Sequence, residues 1–409
     1  MSKQSILIFT VLSGLWFSSP ALEGQQGPAA GSLAESSRVR AISHYFQAAH
    51  FYRQQNLKGA LSEYQEAIRL SPRFAEAYNN LGTIYFQRGD YGRAAEAYQE
   101  AVVLRESFAE AHCNLGTAYA LLAQRMRSSM YRQKAIFHSE QAIQLNPNLA
   151  EPYNTLGVVY HRQGQDHRAS ELVMKAKQIR PNYIVARSNL GYTLSRIERL
   201  DLASKELQGA LAIDGRFSAA RHNLGILNYQ KGDNESAIQE LQRTITDNPL
   251  FMVSYVELAA MHLRQSNAPK ALQVIQKAIE IDPESATAQN MLGLCQLEME
   301  NADEALKAFQ RSVELDDSFP DYHSNIGIIL VLRGDFDSAL KELDRATALD
   351  ERLPYPYKYR GDIFFRKGDS KRAIENYSRY LQLLPEAPDG GEVYSRLKVL
   401  RFLENDSER

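Results

Sequence analysis

Apolar positions in this chain follow helical spacing, and the blocks they form recur every 34 residues. One block reads Tyr78, Leu81, Gly82, Tyr85, Ala94, Tyr98 and Ala101, and a later one Tyr153, Leu156, Gly157, Tyr160, Ala169, Ala176 and Pro181. Steps of three and four residues between apolar positions mark one face of an α-helix. Each block holds two such stretches separated by polar residues, so the pattern predicts a pair of helices per block. Self-similarity at a fixed period of this size points to stacked units instead of separate globular domains.

Aligned on the small residue at position 8, ten units follow one another over residues 41–385. Position 8 is Ala48, Gly82, Gly116, Gly157, Gly191, Gly225, Ala259, Gly293, Gly327 and Gly361; position 20 is alanine in every unit, from Ala60 and Ala94 to Ala339 and Ala373. Small side chains at both places let two antiparallel helices approach closely. Gly-Asp pairs at Gly89-Asp90, Gly232-Asp233, Gly334-Asp335 and Gly368-Asp369 supply a left-handed turn residue and then a helix N-cap. Pro72, Pro147, Pro181, Pro249, Pro283 and Pro385 end the second helix of their units. Each hairpin carries an apolar stripe that it cannot bury alone, so the units must stack and the array must be capped at its ends.

These residues resemble the tetratricopeptide repeat (TPR) pattern: an aromatic at 4, Leu-Gly at 7 and 8, an aromatic at 11, Ala at 20, an aromatic at 24, Ala at 27 and Pro at 32. The resemblance implies an all-α, right-handed α-solenoid, a TPR superhelix of ten helix-turn-helix repeats. Glu106, Gly215, Asp317 and Glu351 replace the terminal proline, and Thr244, Ser312 and Tyr380 replace the alanine at 27, which leads us to expect looser seams there. After a break at residues 385–391, a stretch with Val393, Leu397, Leu400 and Phe402 or Leu403 at helical spacing is expected to cap the array, with a coiled coil as its alternative. Residues 386–409 thus form a capping helix and tail.

On the first helix of each unit, positions 2, 5, 9, 12 and 13 point away from the packing stripe. The resemblance implies that this face lines a concave groove for an extended peptide or helix of another protein. Position 6, at its edge, holds Asn80, Asn114, Asn189, Asn223 and Asn325. Amides that both donate and accept could hold a peptide backbone, as in the asparagine ladder of the O-linked N-acetylglucosamine transferase superhelix, or could be solvated or bonded within their helices. Positions 9 and 12 turn apolar along the chain: Thr83, Thr117 and Ala120 give way to Ile226, Tyr229, Leu263, Leu294, Leu297, Ile328 and Val331. Such a run marks either a contact site or burial between neighbouring units. The Asn that the chaperone-binding subclass places at position 9 does not occur here, so an acidic chaperone tail is not an expected ligand.

The third unit, residues 109–149, carries seven extra residues that fall between Leu121 and Ala135, where Arg125, Arg127, Arg132 and Lys134 occur with no acid. Seven residues make about two helical turns, so both helices can lengthen by one turn without loss of register and raise a basic tip, either solvated or docked on an acidic partner or lipid headgroups.

At the start, Lys3 precedes a 13-residue apolar run over residues 5–17, and Ser19-Pro20-Ala21 supplies small residues before a cleavage point. Residues 1–21 are therefore read as a signal peptide of an exported, periplasmic or secreted protein, with an uncleaved membrane anchor as the alternative. Residues 22–40, rich in Gly, Ala, Ser and Gln, are read as a flexible linker. No membrane span is expected once the signal is removed.

Net charge of −2 on 409 residues argues against nucleic acid as a partner. Two cysteines, Cys113 and Cys295, lie several units apart and form neither a disulfide framework nor a metal spacing. His44 with His50, and His161 with His167, fall six residues apart on different helix faces, so no metal and no cofactor is expected. Outside the array only 40 residues precede and 24 follow, too few for a conventional catalytic domain of at least about 50 residues. The sequence therefore reads as a non-enzymatic protein-binding scaffold in an exported, envelope-associated assembly. Its alternatives are the targeting subunit of an enzyme acting in trans, for example a glycosyltransferase, and a homo-oligomeric structural protein.

Overall fold

A computed structural model describes residues 32–407, and among them every regular element is a helix. In chain order these are α1 (Ser32–Arg53), α2 (Leu57–Leu70), α3 (Ala75–Gln87), α4 (Tyr91–Leu104), α5 (Ala109–Arg125), α6 (Ser129–Leu145), α7 (Ala150–Arg162), α8 (Asp166–Ile179), α9 (Ile184–Arg196), α10 (Leu200–Ile213), α11 (Ser218–Gln230) and α12 (Asn234–Asp247). They continue as α13 (Met252–Arg264), α14 (Ala268–Ile281), α15 (Ala286–Glu298), α16 (Ala302–Leu315), α17 (Pro320–Arg333), α18 (Phe336–Leu349), α19 (Pro354–Arg366), α20 (Ser370–Leu383) and α21 (Gly390–Ser407). The protein is an all-α helical repeat solenoid. Its described residues form two compact bodies, one through Glu240 and one from Leu241.

In the first body α1 pairs with α2, α3 with α4, α5 with α6, α7 with α8 and α9 with α10, and each second helix also packs on the first helix of the next unit. The second body repeats the arrangement with α13 and α14, α15 and α16, α17 and α18, and α19 and α20, closed by α21 lying on α20. The hairpins close where the sequence places its small residues. A Cβ on Gly157 would stand 2.3 Å from Val173 Cγ2 and 3.2 Å from the Ala169 carbonyl oxygen, and one on Gly82 would stand 2.7 Å from the Tyr98 ring. All ten position-20 alanines, Ala60 through Ala373, are fully buried.

The turn inside every unit uses one conformation. Position 15 is left-handed throughout: Gly89, Gly164, Gly232, Gly334 and Gly368 at φ 75 to 86°, and Gln55, Arg127, Glu198, Ser266 and Glu300 at φ 47 to 62°. Position 16 then caps the second helix. Asn56, Asp90, Ser128, Asn267, Asp335 and Asp369 each accept a hydrogen bond from the backbone N–H three residues on. The Gly-Asp pairs are thus one spelling of a turn that five units write without glycine.

The seams lacking a terminal proline are each bridged by a side chain. Where the proline that ends the pattern is missing, the side chain at position 4 of the next unit reaches back to the carbonyl oxygen of the residue in its place. His112 Nε2 lies 3.1 Å from Glu106 O, His323 Nε2 lies 3.0 Å from Asp317 O, Tyr357 donates to Glu351 O at 3.2 Å, and Arg221 donates to Gly215 O. Arg187 makes the same contact with the Pro181 carbonyl oxygen at 2.8 Å, so the clasp goes with a donor at position 4 and not with the loss of the proline.

The described residues revise two boundaries. Residues 32–40, expected as linker, belong to α1, because past Gly31 the chain has no further helix breaker and Leu33, Ala34 and Glu35 favour a helix continuous with buried Ala41, Tyr45 and Ala48. The signal segment, its cleavage point and linker residues 22–31 lie outside the described residues. At the other end Val393, Leu397 and Leu400 are buried against Tyr377, Tyr380 and Leu381, whereas Phe402 is 66% exposed and is not part of the capping seam. The cap is also latched by polar contacts from the expected break: Asp389 takes Lys358 Nζ at 2.9 Å and the Tyr380 hydroxyl at 2.5 Å.

Left-handed backbone costs a residue with a Cβ about 1–2 kcal/mol, and glycine escapes this at the expense of greater freedom when unfolded. Glu300→Gly should therefore stabilise the protein by about 0.5–1 kcal/mol, and Gly368→Ala should destabilise it by a similar amount, in guanidinium unfolding monitored by circular dichroism. Opposite signs for the two substitutions are the expected outcome.

Candidate peptide-binding surface

The row of asparagines is where sequence and structure part. Asn80, Asn114 and Asn189 are 1% exposed and Asn223 is 4% exposed, while Asn325 is half-buried. Each donates its amide to position 5 of the preceding unit, 35 residues earlier. Asn80 reaches the Tyr45 hydroxyl at 2.8 Å, Asn114 reaches Asn79 Oδ1 at 3.0 Å, Asn189 reaches Asn154 Oδ1 at 2.8 Å, Asn223 reaches Ser188 Oγ at 3.3 Å, and Asn325 reaches Asn290 Oδ1 at 2.8 Å. This corrects both sequence readings, the peptide ladder and the solvated or intrahelical amide. First helices of successive units approach so closely that positions 5 and 6 face each other, and the amides bond across the seam within each body. Buried polar groups require partners, and a neighbouring unit supplies them.

Most of the expected groove face is likewise enclosed. Ile226 and Val331, at 6% and 5% exposure, are core residues, Val331 packing with Ala339, Leu343 and Ile363. They offer no surface to a ligand. Tyr229 is half-buried in the first body. In the second body Leu263, Leu294, Leu297 and Ile328 are half-buried; Leu263 and Leu294 pack against the cluster around Ile275 and Cys295, and Leu294 and Leu297 against Phe309 and Ile329. Each therefore shows one flank to solvent. Two residues that the sequence reading passed over are the most open on this face: Leu332 at position 13 is 68% exposed and Phe365 at position 12 is 38% exposed. Extending the apolar tally to position 13 and to the last unit would have found both. At position 12 the first body carries Tyr52, Phe86, Ala120, His161, Ser195 and Tyr229, three of them buried and three half-buried; its exposed residues at positions 12 and 13 are all polar, so the exposed apolar side chains of this face belong to the second body.

The basic tip has the geometry its length implies. Helices α5 and α6 are 17 residues each, where α3 and α4 are 13 and 14, so the insertion divides as four and three and adds about one turn to each helix. Ala135 keeps its fully buried place at position 20. Arg125, Arg127 and Lys134 are exposed and Arg132 is half-buried; Lys134 Nζ stands 5.2 Å from the centre of the Tyr119 ring.

Family models for the tetratricopeptide repeat match residues 50–87, 82–122, 150–183, 250–318 and 324–388, together more than half of the chain. The chain belongs to the tetratricopeptide repeat family. In backbone it is similar to human IFIT1 in its dimer with m7Gppp-AAAA (14% identity, 89% of this chain and 90% of that one, TM-score 0.56). It is also similar to the APC/C hetero-tetramer Cut9-Hcn1 (14%, 90% and 85%, TM-score 0.54) and to yeast Tom70 (14%, 89% and 96%, TM-score 0.53). At such identities the likeness concerns the fold alone. No curated protein matches the chain in sequence.

Within this TPR array, position 4 departs from the aromatic of the pattern by a rule. Where it is basic, position 23 of the same unit is glutamate: His44 with Glu63 at 2.5 Å, Arg187 with Glu206 at 3.1 Å, Arg221 with Glu240 at 3.2 Å and His323 with Glu342 at 2.7 Å. The third TPR unit breaks the rule. His112 pairs there with His138, Nδ1 to Nδ1 at 3.0 Å, both buried at the base of the tip, with His138 stacked on Tyr119. One imidazole must donate and the other accept, so the pair is intact only while at least one ring is neutral. Burial, then the neighbouring His112 and Lys134, push His138 down to about 4, and burial lowers His112 as well. In the His323 pair the Glu342 carboxylate raises the imidazole instead.

In the unfolded chain these histidines take up protons near the ordinary value of about 6.5, whereas folded His138 resists until about pH 4. Stability carried by the neutral pair is therefore present above about pH 6.5 and lost as pH falls toward 4. Thermal unfolding should shift to lower temperature between pH 7.5 and 5. His138→Glu, which gives this unit the His–Glu pair of the first and ninth, should make that shift smaller; an identical pH slope in parent and variant would remove the pair as its source.

Proposed function

We propose that this protein is a non-enzymatic scaffold that holds segments of partner proteins on the first-helix face of its second body. A protein-interaction scaffold is the role that the repeats themselves support. The observation carrying the finer reading is the half-open apolar row of Leu263, Leu294, Leu297 and Ile328, continued by exposed Leu332 and Phe365. Leucine and phenylalanine left in water along one face are stabilised when a partner covers them, by about 25 cal/mol per Å² of apolar surface removed from water. The rigid stacked helices below need no ordering when they bind, so less affinity is lost to entropy. An extended peptide or an amphipathic helix suits such a row.

We place the protein outside the cytoplasm, in an envelope-associated or secreted assembly, on the apolar run of residues 5–17 and the small residues before the expected cleavage point. Among the described residues no helix is long and apolar enough to cross a membrane. A second reading, assembly with copies of itself, draws on the outward side of the capping helix, where Tyr394, Val399 and Phe402 are 54–66% exposed.

Crosslinking in intact cells followed by mass spectrometry tests the proposal. Because Leu263 and Leu297 also pack against the core, the informative variant is Leu332→Asp with Phe365→Asp, which changes exposed side chains. Partner recovery should fall about tenfold, the equivalent of ~1.4 kcal/mol, with helicity unchanged. Full recovery by that variant would count against the apolar face. Crosslinks only between copies of the chain would favour the self-assembly reading.

A further inference from the structure

The one-turn extension of α5 and α6 leaves the register of the stack unchanged, with Ala135 fully buried and Leu122 and Tyr131 packed on the core. What it adds is surface: Met126 is 63% exposed and Met130 is 51% exposed beside the arginines of the tip. On its flank the extension faces the turn of the second unit. Arg88, Gly89, Asp90, Tyr91 and Gly92 on one side, with Leu122, Arg125 and Met126 on the other, line an open cleft. Arg88 and Arg125 are both exposed. The one acid of the cleft, Asp90, is committed: it caps α4 through the Arg93 N–H at 3.1 Å and pairs with the Arg93 side chain at 2.5 Å. The cleft therefore offers two arginines and, beside Arg125, the apolar side chains of Leu122 and Met126 on a chain whose net charge is −2.

We propose that this cleft is a second docking site, separate from the apolar face of the other body, and that its ligand is a short acidic peptide segment carrying one apolar side chain. Carboxylates of the segment pair with Arg88 and Arg125, where the planar guanidinium can take a carboxylate through two hydrogen bonds. The apolar side chain lies on Leu122 and Met126. Arg127, Arg132 and Lys134 extend the positive field beyond the cleft and draw an acidic segment toward it. A bilayer is the poorer match, because the arginines flank a recess between two turns, and a flat surface meets only the apex of the tip.

Selection from a displayed library of random heptapeptides tests this, using the full chain carrying Leu332→Asp and Phe365→Asp so that the other face is silent. Heptapeptides rich in Asp and Glu with one Leu, Phe, Tyr or Met should be enriched. A selected heptapeptide, labelled and followed by fluorescence anisotropy, should lose at least tenfold in affinity on Arg88→Glu with Arg125→Glu. It should lose affinity likewise as salt is raised. The site is overturned if no acidic heptapeptides are enriched or if they bind the charge-reversed protein equally. It is also overturned if vesicles of phosphatidylserine and phosphatidylcholine bind through these arginines while heptapeptides do not. Any of these failures leaves the apolar-face reading untouched, since that reading is judged by crosslinking and by its own variant.

Discussion

The structure depends on one close approach, repeated in each hairpin: a small residue at position 8 lying against the turn of helix that carries an invariant, fully buried alanine at position 20. With Gly157 already so near Val173 and the Ala169 carbonyl, a larger side chain there must displace Val173 or the helix that carries it, and no residue larger than alanine stands at position 8 in any unit. Once the two helices are that close, the left-handed residue at position 15 is the connection that returns the chain. A second helix of 14 residues then presents the next apolar stripe. The seven-residue insertion respects the same constraint, lengthening both helices beyond position 20 on the side where nothing must be matched.

Close stacking has a chemical consequence for the face that repeats of this kind turn toward ligands. Neighbouring first helices bury positions 5, 6 and much of 9, so polar residues there are satisfied by one another, as Asn189 is by Asn154 and Asn223 by Ser188. A row of amides bonded in this way steadies the seams and holds no peptide. What stays accessible lies further along the helix, at position 13 of the ninth unit and position 12 of the tenth, where Leu332 is 68% and Phe365 38% exposed. The proposed binding face is thus defined by what the stacking leaves uncovered.

Helix number, unit boundaries and the small-residue contacts were legible in the sequence because each rests on a local pattern repeated many times. Turns without glycine were harder: Gln55, Glu198 and Ser266 carry no signal of a positive φ, and only alignment to the glycine of other units reveals it. The asparagine row misled because its spacing fits either a ligand face or a seam, and choosing between them requires the distance between adjacent units, which no single unit encodes. The position 4 and position 23 pairs could have been read, since His44 with Glu63 and Arg187 with Glu206 recur at one spacing, and His138 then stands out as a histidine in a glutamate's place. The start of α1 at Ser32 was hidden by a composition in which Leu33 and Ala34 sit among linker-like residues.

Hydroxyl-radical footprinting, read residue by residue with mass spectrometry, tests the central claim that stacking encloses the asparagine row and leaves Leu332 and Phe365 open instead. The account predicts strong labelling of Leu332, Phe365, Met126 and Met130, and protection of Ile226, Val331, Tyr45 and both cysteines, which are buried. Labelling of Ile226, Val331 and Tyr45 at rates like that of Leu332 would contradict it.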